Sequence, residues 1–290
     1  LQADPSNAIR NFVRAYAHEN SISFFDPKNK AGFLRSLMIR TTSTEEVMIV
    51  LQVFRKEDTI LFTLLDALAQ EFPDITSLQY VINGKANDTI YDQEIICYKG
   101  QDYITEVMEA LQFRITAKSF YQTNSLQAFE LYKVVRELTD LQGDELVYDL
   151  YTGTGTIAQF VAQKAQKVVG VDVVPDSINA AKSNAVHNKI DNVFFETGDM
   201  KAIFTEEFID RHGKASVVIT DPPRDGMHKD VVQQLLDLSP DRIVYVSCNS
   251  ATQARDLSLM KEQYRLVASQ AVDMFPQTHH VENVVLLQKI

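Results

Sequence analysis

The chain has no tryptophan, only two cysteines, and few prolines and glycines: 8 and 10 in 290 residues. Two thiols cannot make a disulfide framework, a four-thiolate metal site or a four-cysteine iron–sulfur cluster. Their scarcity fits a reducing compartment, which we expect to be the cytoplasm. With 45% hydrophobic and 23% charged residues, the composition is that of a folded globular protein. No run approaches the ~18 uncharged apolar residues of a membrane helix. No signal peptide is visible either, so no membrane association is expected. Positive charge is also short: 28 Lys and Arg stand against 39 Asp and Glu, a net of −11. Split after Ala117, the two parts carry nets of −5 and −6. Neither is a basic nucleic-acid module, and bulk charge argues against strong non-specific binding to RNA or DNA. The sequence begins at Leu1 rather than Met, so it reads as a piece of a longer protein.

A chain of this length suggests two domains, and the pattern changes near residue 115. Before it, Gly32–Arg40 and Val47–Phe54 read as a strand and its returning partner around a polar turn. Leu61, Leu64, Leu65, Leu68 and Phe72 have helical spacing. Leu78–Ile82 is a further strand, ended by Asn83-Gly84, a strong turn signal. In the strand-like run Glu94–Tyr98, Cys97 is expected to be a small buried apolar residue. After residue 115, strands and helices alternate. Strands are expected over 146–151, 168–173, 193–196, 216–220 and 243–247, with helices over 125–139, 157–166, 175–188, 229–238 and 251–262 and another near Glu206. Such alternation means a parallel sheet covered on both faces. Strands 266–271 and 281–288 have no helix between them, so at least one is expected to run antiparallel.

Between the first strand and helix of this half lies Asp149-Leu-Tyr-Thr-Gly-Thr-Gly-Thr156. Glycines there let the backbone turn tightly and approach a ligand. Asp172 ends the next strand, 19 residues after Gly153, where an acid can accept ribose hydroxyls. That much serves NAD and S-adenosylmethionine equally well. Asp199 follows the third strand, where an acid can meet an adenine edge, though an ordinary surface acid is as good a reading. Asp221-Pro-Pro-Arg224 follows the fourth. Its prolines stiffen the loop and fix the carboxylate, an element not expected in an NAD enzyme, and it moves the reading to S-adenosylmethionine.

Cys248 follows the fifth strand, at the edge where ligands bind in open α/β sheets. Taken alone, such a residue is more often a buried structural cysteine. Beside the glycine loop and Asp221 it reads as a nucleophile. Methyl transfer to oxygen or nitrogen needs no thiol. Transfer to C5 of a pyrimidine does, because a thiolate adding at C6 makes C5 nucleophilic. A base must then remove the C5 proton, and Glu282, at the start of the last strand, is the candidate. His279 and His280 are adjacent on what reads as a strand, where neighbours point to opposite faces. They are therefore not expected to chelate a metal. Arg224 and Arg255 could touch phosphates or simply be solvated.

Ser119-Phe-Tyr-Gln-Thr-Asn124, Asp149-Leu-Tyr-Thr-Gly153, Asp221-Pro-Pro-Arg-Asp-Gly226, Val246-Ser-Cys-Asn249 and His279-His-Val-Glu282 occur in this order. With them the chain resembles the RNA uracil-C5 methyltransferases that use S-adenosylmethionine, enzymes of ribosomal and transfer RNA. The resemblance implies a class I methyltransferase fold, α/β with a doubly wound, mostly parallel sheet, over residues 116–290. Residues 1–115 would be a small α+β central domain facing RNA. It also implies that Gln122, Tyr151, Gly153, Thr156, Asp172, Asp199 and Asp221 line the S-adenosylmethionine site, with Cys248 as nucleophile and Glu282 as base. Asp172 stands where Glu is usual, and Thr156 where Asn is common. The amino-terminal β-barrel and the four-Cys cluster of some family members do not appear in this sequence. The expected substrate is an unpaired uridine of structured RNA, since a stacked, paired base hides C5 and C6. We expect 23S ribosomal RNA before transfer RNA, and a monomer. The alternatives are a cytosine-C5 enzyme, an amino-group methyltransferase, whose acid-Pro-Pro motif normally ends in an aromatic residue rather than Arg224, and a non-catalytic binding module.

Overall fold

Val217-Val-Ile-Thr220 is buried along its whole length, as expected of a central strand covered on both faces. In a computed structural model, which describes residues 4–290, this run sits in the middle of a seven-stranded sheet. The chain divides into two compact units, Leu1–Ser119 and Phe120–Ile290.

The first unit begins with α1 (Ser6–Glu19), which sequence patterning did not anticipate. Next come β1 (Leu34–Thr41), β2 (Val47–Val53), α2 (Asp58–Glu71), β3 (Ser77–Ile82) and β4 (Ile95–Gly100). These strands form one sheet in the order β1-β2-β3-β4. The β1–β2 hairpin is antiparallel, whereas β2 and β3 are parallel, joined through α2, whose Leu61, Leu64, Leu65 and Leu68 are buried. A separate hairpin, β5 (Tyr103–Met108) and β6 (Leu111–Thr116), follows. Cys97 corrects its expectation: it is exposed. It lies on β4 at the sheet edge, where only alternate residues face the core.

The second unit opens with α3 (Ser125–Thr139), capped by the side chain of Asn124, which accepts the amide of Gln127 at 3.3 Å. Then come β7 (Leu146–Leu150), α4 (Thr156–Ala162), β8 (Lys167–Asp172), α5 (Pro175–His187), β9 (Val193–Thr197), α6 (Glu206–His212), β10 (Val217–Thr220), α7 (Lys229–Leu238), β11 (Arg242–Ser247), α8 (Ser250–Met260), β12 (Tyr264–Val272) and β13 (Glu282–Lys289). The sheet order is β12-β13-β11-β10-β7-β8-β9. Chain order reverses direction between β7 and β10, which makes this the switch point where a doubly wound sheet opens a crevice. The strands from β11 to β9 run parallel. β13 is antiparallel to both of its neighbours. Its insertion beside β11 brings the start of β13 to the carboxyl end of β11. No helix among the described residues is long and apolar enough to cross a membrane.

Candidate active site

The glycine loop is built on a buried acid. Asp149, in β7, is 1% exposed. Its Oδ2 accepts the hydroxyl of Thr152 at 2.5 Å and the amide of Ala158 at 3.1 Å, which tie the loop and the start of α4 back to the strand. Its Oδ1 is buried with no hydrogen-bond partner. Burial pushes the carboxyl up to about 7 against the pull of those two donors. Gly155 has φ +76°, and a Cβ there would lie 2.6 Å from the ring of Phe195 on β9. Only glycine lets the loop pass so close.

Asp172, at the tip of β8, accepts the amide of Gly153 at 3.0 Å through Oδ2 and that of Val174 at 2.9 Å through Oδ1. Each oxygen keeps lone-pair capacity for a hydroxyl ligand. Tyr151 is half-buried with φ +61°. Burial first, then Asp199, Asp256 and Asp172, push its hydroxyl up to about 12. Asp199 is exposed and accepts the amide of Lys201. Thr156 is buried at the start of α4, its Oγ1 3.3 Å from that of Thr154. Thr154 in turn donates to the carbonyl of Phe120 at 3.4 Å, which holds the segment carrying half-buried Gln122 against the loop. The crevice is lined by acids, and Asp172 adds to the upward push on Asp149. A diphosphate would meet these carboxylates as like charges. A nucleoside carrying positive charge fits them.

The second group lies at the ends of β10, β11 and β13. Asp221 follows β10, and its amide reaches Leu150 O at 3.3 Å. The last ladder pair of β11 and β13 is Ser247 with Asn283. Cys248 follows Ser247 and Glu282 precedes Asn283, so both stand at this end of the ladder. The electrostatics agree: burial pushes the Cys248 thiol up, Glu282 and Asp221 push it further, and Arg224 opposes them. Burial also raises Glu282. Asp221 keeps part of its surface open, yet its carboxyl is deep enough to be pushed up to about 8, by burial and then by Glu282 and Asp149. The structure thus gathers Cys248, Glu282 and Asp221 at one sheet edge and Tyr151, Gly153, Asp172 and Asp199 at the next. Asp149 and Asp221, near enough to perturb each other, link the two.

Residues missed in the sequence hold this edge together. Asp256 is 0% exposed. It accepts the amide of Met227 at 2.8 Å, the hydroxyl of Tyr245 at 2.8 Å and the guanidinium of Arg255 at 2.8 Å. Arg255 also donates to the carbonyls of Asp225 and Met227, so it is a loop clamp. The side chains of Asn249 and Thr252 both donate to the carbonyl of Arg224. The loop after β10 is therefore fastened to the first turns of α8, the helix that follows Cys248. The available signal was a stripe: Gln253, Asp256 and Met260 are spaced as the core-facing side of α8, and two of them are polar.

His279 and His280 correct the argument made for them. They precede β13 rather than lying in it, so strand alternation does not separate them. Their ring centroids are 4.0 Å apart, and Nδ1 of His280 lies 3.2 Å from the Arg224 guanidinium. Among the described residues no group of three or more His, Cys, Asp or Glu could hold a metal ion. A depression of about 640 Å³ opens elsewhere, its walls including Lys167, Lys182, Phe194, Arg211 and His212. It lies by the amino-terminal ends of β8 and β9, and none of the candidate residues lines it. Convergent chemistry, rather than the size of a hollow, marks the site.

A family model described as tRNA (Uracil-5-)-methyltransferase matches residues 34–290. An uncharacterized RNA methyltransferase of Porphyromonas gingivalis is 57% identical, across 99% of this chain and 63% of its own length. Another, of Clostridium tetani, is 37% identical with the same two coverages. Among solved structures, the Pyrococcus abyssi tRNA (uracil-54, C5)-methyltransferase in complex with S-adenosyl-L-homocysteine aligns with a TM-score of 0.78 and 32% identity, over 95% of this chain and 65% of that one. The chain thus spans about two thirds of the length of these relatives, and the match extends through both of its units. The chain belongs to the tRNA (Uracil-5-)-methyltransferase family.

Proposed function

We propose that the protein methylates C5 of an unpaired uridine in structured RNA, with S-adenosylmethionine as donor. The observation that carries this reading is a half-buried thiol and a carboxyl, Cys248 and Glu282, at the ends of adjacent strands and close enough for the acid to act on the thiol, beside an acid-lined crevice. S-adenosylmethionine supplies an electrophilic methyl group whose bonding pair stays on its sulfur when the methyl departs. Gly153 and Asp172 would hold its ribose side, with Gln122, Tyr151, Thr156 and Asp199 around it, and Asp149 and Asp221 would face its positive charge. The bound product of the Pyrococcus abyssi enzyme supports that donor.

The chemistry of the chain's own residues follows. The Cys248 thiolate adds to C6 of the uracil, and the displaced double-bond pair becomes an enolate. C5 then takes the methyl group. Glu282 removes the remaining C5 proton. The C–H pair re-forms the C5–C6 double bond, the C6–S bond breaks, and its pair returns to Sγ.

We take ribosomal RNA as the first substrate to test. A transfer-RNA uridine is the second reading, favoured by the substrate named for the Pyrococcus abyssi enzyme. The first unit would face the RNA, and a monomer in the cytoplasm is the expected setting. Mapping 5-methyluridine in ribosomal and transfer RNA, from cells with and without the gene, decides the substrate: one site should vanish. Cys248→Ala should abolish methyl transfer, and full activity in that variant would overturn the mechanism.

A further inference from the structure

Asn283 follows Glu282 on β13, so its side chain leaves the opposite face of the strand. It is held from both sides. Its Nδ2 donates to Gln253 Oε1 at 2.7 Å, and its Oδ1 accepts the hydroxyl of Ser269, on β12, at 3.1 Å. Gln253, on α8, is 2% exposed. Its Nε2 donates to two main-chain carbonyls, Tyr245 O at 2.9 Å and Asn283 O at 3.1 Å. One amide group therefore grips β11 three residues before Cys248 and β13 one residue after Glu282. Hydrogen bonds thus tie the first turn of α8, which follows Cys248, to the residue after Glu282 and to the strand that leads to Cys248.

The ladder between β11 and β13 already holds the strands together through Ser247 and Asn283. A buried amide and a half-buried one add little net stability over apolar residues of the same shape. What a satisfied buried network does supply is a unique arrangement. Here the arrangement fixed is the start of β13, since strands fray at their termini.

We propose that Gln253 and Asn283 are positioning residues for Glu282, holding its carboxyl at the C5 proton after the methyl group has arrived. The inference rests on the reading of Glu282 as base. Its chemical consequence is specific. Addition at C6 needs Cys248, and methyl transfer needs the donor. Only the elimination, in which Glu282 takes the C5 proton and the C6–S pair returns to sulfur, needs the base in place. A displaced base leaves the methylated uracil joined to Cys248.

The test uses the full-length protein, S-adenosylmethionine and substrate RNA, with Glu282→Gln as reference for the trapped adduct. Asn283→Leu and Gln253→Leu should lower kcat on the order of tenfold to a hundredfold, with KM for RNA within about twofold. The fraction of protein in a denaturant-stable covalent complex with RNA should rise several-fold. A merely structural role would lower adduct and turnover together, and that result overturns the proposal. Ser269→Ala removes one hydrogen bond and leaves the core filled, so it serves if the leucine variants do not fold. It should show a smaller rise in adduct, and a wild-type level overturns the proposal. If Glu282→Gln itself traps nothing, the assignment of the base has failed. If Glu282→Gln traps adduct and Asn283→Leu does not, the positioning inference alone has failed.

Discussion

The hydroxyl of Thr152 donates to Oδ2 of Asp149 at 2.5 Å, while the other oxygen of the same buried carboxyl has no partner. A half-satisfied acid is poised to gain from a cationic neighbour. Asp149 is pushed up to about 7 and Asp221 to about 8, so both carry protons at mildly acidic pH. A positively charged nucleoside favours their ionised forms. Affinity for S-adenosylmethionine should therefore rise between about pH 6 and pH 8, with protons released on binding. Isothermal titration in buffers of different ionisation enthalpy measures both, and Asp221→Asn should flatten the rise.

The same two acids set a trend in stability. Each binds its proton more tightly folded than unfolded, since an aspartate carboxyl ordinarily titrates at 3.8. Between that value and about 7 to 8 the folded state holds more protons, so the contribution of these acids to stability falls as pH rises through that window. Asp149→Asn, which carries no charge at any pH, should reduce the slope. Melting temperatures of both proteins from pH 5 to pH 8.5 give the comparison.

Cys248 feels two acids and one base. Removing Glu282 removes a negative neighbour, so Glu282→Gln should lower the thiol's pKa and speed its alkylation by iodoacetamide at pH 8. Arg224→Gln should do the reverse, because that guanidinium favours the thiolate. Alkylation rates over a pH series test both signs, and the same sign for both variants would contradict the geometry.

Gly155 stands with φ +76°, and a Cβ there would press on Phe195 and Ala181. Gly155→Ala should cost at least ~1–3 kcal/mol, from the left-handed backbone and the overpacking together. Denaturant unfolding measures that cost, and donor binding should fall with it.

Tyr245→Phe deletes one of the donors to buried Asp256. The loss should be about 1 kcal/mol of stability, since Met227 N and Arg255 remain. Because Asp256 holds the loop that carries Asp221, KM for the donor should rise as well.

Much of the second unit was legible because its strands and helices have opposite signatures. β10 and β11 are unbroken apolar runs, and α3 and α7 carry apolar stripes. The first unit was less legible. α1 carries Ile9, Phe12, Val13, Tyr16 and Ala17 at helical spacing, a signal present in the sequence but missed. The β5–β6 hairpin turns at Glu109-Ala110, without the Asn-Gly or Asp-Gly signal that marked Asn83-Gly84. Cys97 shows the limit of residue-type reasoning: an edge strand exposes one face whatever stands there. At the site, Asp172 and Cys248 were readable because a position at a strand end predicts a role. Gln253, Asp256 and Asn283 were not, because their partners lie up to 30 residues away and exist only once the sheet has formed.

β13 is made after every other strand of its sheet, yet it occupies an interior place between β11 and β12. In a ribosome-bound chain β7 to β10 emerge before Glu282. The acid and the thiol become neighbours only when this final strand threads into its slot. If Cys248 and Glu282 act as proposed, a chain clipped before β13 would lack the pairing that the RNA step requires.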